Sequence, residues 1–348
     1  MGKVLMTGNE ALAEGAILAG CRFYFGYPIT PQNEIPAYMA RRMPQVGGFF
    51  LQAESEIAAI NMVLGAAVTG ARAMTSSSSP GISLKQEGIS YLAALELPAV
   101  IVNIVRGGPG LGNIQPAQSD YFQATRGGGH GDYRTIVFAP STVQEMADFT
   151  MESFDLADLY RIPVIILADG LLGQMMEPLE LRPPQKRVLP PKTWALTGAK
   201  GRPANCLKSL FMAPGVLEEH NWKLFQKQQK IREQETKAEI VEGEGVELVI
   251  VAYGTAARIC KGALRMANRN GKKVGLIRPI TLWPFPEKIV SQIAEQVKQF
   301  LVVEMSLGQM VEDVKLALNG KAMVHFYGRP GGAIPSPEEI YQKIETII

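Results

Sequence analysis

Residues 24–34 read Tyr-Phe-Gly-Tyr-Pro-Ile-Thr-Pro-Gln-Asn-Glu, and the change of character along this stretch decides the fold. Small residues with helical spacing, Ala11 to Ala19, feed an aromatic strand, Phe23 to Phe25, which stops at Pro28 and Pro31. Proline lacks an N–H and disfavours helix for the residue before it, so Tyr27 to Pro31 is expected to be a rigid turn. Thr30 places one hydroxyl there, at the end of a strand, where open α/β sheets put their ligands. Spacing alone fits a plain strand-ending turn equally well.

Outward from that turn, residues up to about 170 alternate in the manner of a parallel α/β sheet. Helices are expected at Glu10–Gly20, Glu54–Thr69, Gly81–Ala94 and Thr142–Leu159. Strands are expected at Phe23–Phe25, Gly48–Leu51, Ala71–Thr75, Ala99–Val105, Thr135–Ala139 and Val164–Leu167. Several of these are continuous apolar runs, as buried parallel strands are. A glycine-rich loop is expected from Arg106 to Asp132. Composition then shifts. Residues 178–205 carry Pro183-Pro184 and Pro190-Pro191, which is linker chemistry. Val216 to Val241 reads as a polar helix whose thin apolar stripe (Trp222, Phe225, Ile231) suits a clamp over a neighbour. A second, smaller α/β unit opens at Val246, with Gly254-Thr255 before a helix over Ala256–Asn268 and strands at Val274–Ile277 and Phe300–Glu304.

With 348 residues, 47% hydrophobic and 20% charged, the chain has the make-up of a globular protein of about two domains. A net charge of +2 gives no footprint for nucleic acid or an anionic membrane. No apolar run reaches the ~20 residues of a membrane span, and Gly2-Lys3-Val4 does not open a signal peptide. Met6 stands where a myristoylation motif wants Ser or Thr, so the expected compartment is the cytosol. Cys21, Cys206 and Cys260 lie far apart with no Cys-x-x-Cys pair, and they read as reduced, mostly buried residues. A cubane cluster needs four thiolates, so none is expected on this chain alone. His130, His220 and His325 are as scattered, which argues against clustered zinc ligation; no metal site is expected here.

Three places carry chemistry. Glu56 heads the otherwise small and apolar run Glu-Ile-Ala-Ala-Ile-Asn-Met-Val, with Glu54 on a different face. A carboxyl facing a dry sheet is expected to hold its proton more tightly, and so could donate or share it near neutrality. An acidic residue in a first helical turn is also favoured simply by the macrodipole. Ser76 to Ser79, with Pro80-Gly81, reads either as a flexible linker or as an N-cap and loop at the ligand edge of the sheet. Arg106 closes the apolar run Ala99–Val105 and opens Arg-Gly-Gly-Pro-Gly-Leu-Gly, where its fork could meet a carboxylate bidentately. That loop lacks the spacing of a dinucleotide fingerprint and has no helix opening directly behind it. Further on, the loop carries Gln115, Gln118, Asp120 and His130, the last reading as a turn histidine.

The run Tyr27-Pro-Ile-Thr30-Pro31, followed one strand and helix later by Glu56 and then by Arg106, resembles the α subunit of 2-oxoacid:ferredoxin oxidoreductases. The resemblance covers nearly the full length and is strongest over residues 7–170. It implies thiamine diphosphate-dependent oxidative decarboxylation of a 2-oxo acid to an acyl-coenzyme A, with electrons passed to ferredoxin. Glu56 then matches the catalytic glutamate, which hydrogen-bonds the aminopyrimidine ring and favours its imino tautomer. Thr30 and Arg106 match the pair that binds the substrate carboxylate. Tyr27, Pro28, Glu56 and Ser79 are implied as cofactor-binding. Thiamine enzymes hold the diphosphate through Mg²⁺ on a Gly-Asp-Gly motif, and none occurs here; Gly131-Asp132-Tyr133 and Ala168-Asp169-Gly170 are the nearest strings. This chain is therefore expected to grip the pyrimidine half. A β subunit is expected to carry the diphosphate, the Mg²⁺ and a [4Fe–4S] cluster, with γ and ferredoxin-like δ subunits also implied.

The fold so implied is α/β: a pyrimidine-type thiamine diphosphate-binding domain with a parallel sheet over 1–177, a proline-rich linker and polar helix over 178–245, and a transketolase C-terminal-like α/β domain over 246–348. Val246 to Gly254, Arg278-Pro-Ile-Thr-Leu-Trp-Pro-Phe-Pro286 and Leu301-Val-Val-Glu304 carry the last assignment. Two other readings stand beside the oxidoreductase: a subunit of a non-oxidative thiamine decarboxylase or transketolase-like enzyme, and an assembly or nucleotide-binding protein without thiamine. No further Lys or Arg lies in the loop near Arg106 to greet a second carboxylate. That favours a branched 2-oxo acid such as 3-methyl-2-oxobutanoate over 2-oxoglutarate.

Overall fold

The computed structural model describes residues 2–183, 187–241 and 245–348. Pro184, one of the expected linker prolines, lies outside the described residues, as do residues 242–244. In chain order, β1 (Val4–Thr7) and α1 (Gly8–Leu18) lead into β2 (Phe23–Gly26) and α2 (Glu34–Arg42). Next come β3 (Phe49–Gln52), α3 (Glu56–Ala67), β4 (Ala73–Ser77) and α4 (Ser79–Ala94). β5 (Ala99–Val105), α5 (Tyr121–Arg126), β6 (Ile136–Phe138) and α6 (Val143–Tyr160) follow. β7 (Pro163–Asp169), α7 (Gly170–Gln174) and β8 (Met176–Leu179) end this half, β8 pairing antiparallel with β1.

The first sheet has the order β12-β6-β7-β5-β4-β2-β3, where β12 (Thr281–Trp283) is borrowed from the C-terminal half. All neighbours are parallel except β12, which runs antiparallel to β6. Every residue of β5 and β7 is buried, which is why both strands read as unbroken apolar runs. Alternate residues of the sheet serve different layers. Tyr24, Met74, Val100 and Val102 pack under α1, α2 and α6. Phe25, Ile101 and Val105 pack under α3 and α4.

The C-terminal half begins with α8 (Val216–Gln234), β9 (Ala238–Val241), β10 (Leu248–Val251), α9 (Gly254–Arg269) and β11 (Val274–Pro279). After β12 come α10 (Glu287–Ile293), β13 (Gln299–Glu304), α11 (Met310–Leu318), β14 (Met323–Gly328) and α12 (Pro337–Glu345). Its sheet is ordered β14-β13-β10-β11-β9, with only β9 antiparallel. Leu248, Ile250 and Leu301 face α9 and α12, while Val249, Val251 and Val302 continue the core that α3 and α4 share with the first sheet.

Four sequence expectations need correction. The polar helix does not run to Val241: it stops at Gln234, and Ala238–Val241 becomes the edge strand β9. The loop after Arg106 is not structureless, because α5 interrupts it. Helix α2 was not expected at all. Pro28 and Pro31 read as a strand-ending turn, with no helix expected behind them; Pro36 sits in the first turn of α2, where a missing N–H costs no helical bond. Finally, Ser76 and Ser77 belong to β4 and Ser79 opens α4, so the serine run is largely strand end rather than loop. Of the cysteines, Cys21 and Cys260 are buried and Cys206 is exposed. Among the described residues, no helix is long and apolar enough to cross a membrane.

Candidate active site

Strands β3, β2, β4 and β5 are adjacent and parallel, so their carboxyl ends and the segments that follow them share one edge of the sheet. β2 delivers the turn at residues 27–31, β3 delivers the start of α3, β4 delivers Ser77–Ser79, and β5 delivers Arg106. The sheet thereby brings together residues spread over 80 positions of sequence.

The turn is held from three sides. Asn9, in the first turn of α1, donates from Nδ2 to the Pro31 carbonyl at 3.0 Å and to Glu34 Oε2 at 2.7 Å. Gln32 donates to the Tyr27 carbonyl at 3.3 Å and accepts from the Ser76 hydroxyl at 2.5 Å. The Tyr24 hydroxyl lies 2.6 Å from that of Ser76, which extends the chain of bonds under the sheet. Arg106 closes the third side, its Nη1 donating to the Thr30 carbonyl at 3.0 Å. Rigidity here comes from buried side-chain bonds as much as from the prolines. Tyr27 is half-buried and Pro28 exposed. The Thr30 hydroxyl accepts from Asn33 Nδ2 at 3.3 Å.

Arg106 is buried, and its second donor, Nη2, reaches the Leu111 carbonyl at 3.0 Å. Its Nε has no partner among the described residues. Thr30 and Arg106 are thus brought together, through the threonine's carbonyl rather than its hydroxyl. Ser79 anchors the arginine's main chain: its hydroxyl accepts the Arg106 N–H at 3.1 Å and donates to the Arg106 carbonyl at 3.3 Å. The serines with unpaired buried hydroxyls are Ser77 and Ser78. Asn103, on β5, accepts the Ser79 N–H at 3.1 Å and donates to Asp120 at 2.8 Å. Burial raises the Asp120 carboxyl above its ordinary range, against the opposing hydrogen bonds from the Ser79 and Asn103 side chains.

Glu56 owes its place to local capping. The Ser55 hydroxyl accepts the Ala58 N–H at 3.2 Å, which starts α3 at Glu56. Glu56, Ala59, Ile60, Val63 and Ala67 recur at helical spacing and form the buried face of α3. The residue is 6% exposed, and no donor among the described residues is spent on its carboxyl. It lies against Gly81 of α4. A Cβ on Gly81 would sit 2.6 Å from Glu56 Oε1 and 2.1 Å from Ser77 Oγ, so only glycine leaves room for both. Among the described residues, one edge therefore gathers a carboxyl that accepts no hydrogen bond, two buried hydroxyls without partners and an arginine nitrogen without an acceptor. Such a surface can be completed by water or by a ligand with both donor and acceptor atoms.

Sequence reasoning missed the most buried charge of the site. Lys85, on the inner face of α4, is fully enclosed; its Nζ donates to Thr75 Oγ1 at 2.6 Å and to the Ser76 carbonyl at 3.0 Å. Burial lowers its pKa from 10.5 to about 7, and the Glu56 charge opposes that fall. Helical phasing could have found it, since Lys85 lies four residues after Gly81 on an otherwise apolar and small face. Asn103 was missed for a different reason, and Ser77 and Ser78 were not singled out within the serine run for the same one: nothing in the sequence distinguishes their polar atoms from satisfied ones. His130 is exposed. No three His, Cys, Asp or Glu side chains cluster as metal ligands among the described residues.

Comparison with known proteins accords with this geometry. Residues 14–242 match the family model for pyruvate flavodoxin/ferredoxin oxidoreductase, thiamine diphosphate-binding, and residues 246–340 match pyruvate:ferredoxin oxidoreductase core domain II. The ketoisovalerate oxidoreductase subunit VorB of Methanothermobacter marburgensis is 52% identical, over 100% of this chain and 98% of its own length. The 2-oxoglutarate synthase subunit KorA of Methanocaldococcus jannaschii is 38% identical, over 97% of this chain and 98% of its own. Among solved structures, a 2-oxoglutarate:ferredoxin oxidoreductase from Magnetococcus marinus, with 2-oxoglutarate, coenzyme A and succinyl-CoA bound, superposes with a TM-score of 0.87 at 28% identity. That match covers 99% of this chain and 65% of the other. A split-gene transketolase, at 14% identity and a TM-score of 0.60, shares the fold alone. The chain belongs to the pyruvate flavodoxin/ferredoxin oxidoreductase family, through both its thiamine diphosphate-binding region and its core domain II.

Proposed function

We propose that this chain is the subunit of a 2-oxoacid:ferredoxin oxidoreductase that grips the aminopyrimidine half of thiamine diphosphate and the carboxylate of a branched 2-oxo acid. The observation that carries the reading is the Glu56 carboxyl, set against Gly81 at the ligand edge of the sheet with no donor among the described residues spent on it. The residues present fit the pyrimidine: Glu56 can hold a proton against a ring nitrogen, and the unpaired Ser77 and Ser78 hydroxyls can meet its other polar atoms. When bound, thiamine diphosphate supplies a nucleophilic carbon for the 2-oxo group and a sink for the electron pair released with carbon dioxide. This chain's own part is to position and to move one proton. Glu56 stands at the start of α3, with Gly81 of α4 against its carboxyl, where it can pass that proton to the ring. Arg106, already fixed to the Thr30 and Leu111 carbonyls, keeps its positive charge at the strand end, where a carboxylate is drawn. One arginine with one neutral hydroxyl, that of Thr30, grips a carboxylate without over-stabilising a ground state that must lose it.

The substrate preference follows from the loop, which offers Arg106 no second cation for a distal carboxylate, and from greater identity to a ketoisovalerate than to a 2-oxoglutarate subunit. The relatives are named as subunits, so partner chains belong to the reading. We assign the diphosphate, Mg²⁺ and a [4Fe–4S] cluster to a β subunit, assume γ and ferredoxin-like δ chains, and take coenzyme A and ferredoxin as co-reactants. The division at 1–177, 178–245 and 246–348 is part of the same proposal, supported at its second boundary by the change of family match between 242 and 246.

The test is Glu56→Gln in the assembled complex. Exchange of the thiazolium proton, followed by NMR, should slow ~10²–10⁴-fold, the usual worth of a general acid–base group. Unchanged exchange would overturn the assignment.

A further inference from the structure

Helices α3 and α4 touch through a short ladder of positions. A Cβ on Gly81 would press on Glu56 Oε1, and a Cβ on Gly88 would lie 2.6 Å from the Cγ atoms of Ile60. Glu56 and Ile60 are one turn apart on α3, and Gly81, Lys85 and Gly88 share one face of α4. Lys85 therefore sits between the two close approaches, level with the space between Glu56 and Ile60. Its ammonium turns toward β4, where Thr75 and Ser77 point to the same face. Along that face run the Glu56 carboxyl, the unpaired Ser77 hydroxyl, the Thr75 hydroxyl and the Lys85 ammonium. An ammonium has three donors, and two are spent, on Thr75 and on the Ser76 carbonyl.

We propose that Lys85 is a positioning residue for Glu56, its ammonium being the buried positive charge against which the glutamate holds or releases its proton. The proposal rests on Glu56 being the proton partner of the cofactor ring. Leaving a lysine fully enclosed is costly, and nothing in the packing of α4 requires one there; methionine has a similar length without the charge. Of the elements against α4, α3 brings Glu56, β4 brings only hydroxyls and a carbonyl, β5 brings neutral Asn103 with Arg106 at its end bonded to Ser79, and β7 ends in Asp169. Asp120 lies behind Asn103, hydrogen-bonded to it. Glu56 and Lys85 do not close an ion pair, so they act through space and through the hydroxyls between them. With its pKa brought down to about 7, the lysine changes charge near neutrality. The positive charge that Lys85 presents to the Glu56 site is therefore full below that pH and lost above it.

The experiment uses the assembled complex with Lys85→Met and Lys85→Arg. Two quantities are followed against pH: the affinity for thiamine diphosphate with Mg²⁺, by calorimetry, and kcat/KM for 3-methyl-2-oxobutanoate. Removing the charge should move the ionisation that depends on Glu56 upward by about one pH unit, and arginine should restore it toward the original. A third measurement needs no cofactor. Between about 7 and 10.5 the unfolded chain binds a proton at Lys85 that the folded chain does not, so stability to denaturant should rise across that window and lose this rise in Lys85→Met. Superimposable pH profiles for binding and turnover in the original and Lys85→Met overturn the proposal, as does a stability profile that the substitution leaves unchanged. Should Lys85→Arg fail to assemble, Lys85→Gln takes its place as a second uncharged variant and must shift both profiles as Lys85→Met does. Glu56→Gln separates the two hypotheses. If it leaves thiazolium exchange intact, the functional reading fails; if it abolishes exchange while the Lys85 variants do nothing, only the role of Lys85 fails.

Discussion

Glu56 and Glu304 are both buried glutamates at the carboxyl edge of a parallel sheet, and their surroundings are opposites. Glu304 ends β13 and is saturated: it accepts N–H bonds from Gln309 and Met310 at 3.0 Å and from Val311 at 2.9 Å, and the Ser306 hydroxyl at 3.0 Å. Burial still raises its pKa above the ordinary carboxylate range, against those bonds. The edge around it is closed by the loop from the first sheet. Gln118 donates to the Tyr253 carbonyl at 2.9 Å and accepts from Met305 N–H at 3.0 Å, while Tyr121 donates to Asp313 at 2.5 Å. Glu56, by contrast, has no donor among the described residues, and Ser77, Ser78 and Arg106 at the same edge of the sheet keep unpaired atoms. The same architecture has thus been finished in one half and left open in the other. A saturated edge has its polar atoms met within the protein, and an unsaturated one leaves them to be met from outside it.

The strongest way to break this comparison is to exchange carboxyl for amide at both glutamates. Glu56→Gln should cost ~10²–10⁴-fold in thiazolium exchange and turnover with little change in unfolding. Glu304→Gln should do the reverse, lowering stability by about 1–3 kcal/mol through its mismatched N–H donors while exchange stays within about twofold. Denaturant unfolding and NMR exchange on the same preparations decide it, and equal behaviour of the two variants would abolish the distinction. Next in size is Arg106→Lys, which keeps charge but loses the fork and the ties to Thr30 and Leu111. KM for a panel of 2-oxo acids should rise about 10- to 100-fold, the worth of a hydrogen bond to a charged group, ~1.5–3 kcal/mol. An unchanged panel would move the carboxylate site to the partner chain.

Gly81→Ala sharpens the contrast from the steric side. Its methyl cannot coexist with the Glu56 carboxyl and the Ser77 hydroxyl where they stand, so thiamine diphosphate affinity should fall about tenfold, matching the ~1–3 kcal/mol of an overpacked contact. Calorimetric titration of the complex reads that directly, and full affinity would show that the carboxyl is not held for the ring. Thr30→Val is the mildest, about one neutral hydrogen bond of ~0.5–1.5 kcal/mol in KM, because the arginine meets that residue through its carbonyl.

Much of the fold could be read in advance because buried parallel strands announce themselves as apolar runs; Ala99–Val105 was delimited to the residue. Boundaries failed where identity depends on a distant partner. Ala238–Val241 continues a polar helix in sequence and becomes a strand only because β11 offers an unpaired edge. Thr281–Trp283 joins the first sheet because Phe138 and Val137 lie open to it, which no local pattern encodes. At the site, Glu56, Thr30 and Arg106 were visible as polar residues at element junctions. Lys85 was not, because a lysine inside a helix ordinarily faces water.

By itself the sequence determined which residues end strands and start helices, since prolines, glycines, caps and apolar runs act over a few residues. It also determined that no diphosphate motif and no cysteine cluster accompany them here, because motifs are strings. Only the tertiary structure decided which polar atoms have partners. Pairing is a property of three-dimensional neighbours: Ser79 is satisfied by Arg106, 27 residues away, while Ser77, two positions before it, is left open beside Glu56. That difference, invisible along the chain, separates a closed edge from a binding edge, because an unpaired buried group stays costly until something fills the place of its missing partner.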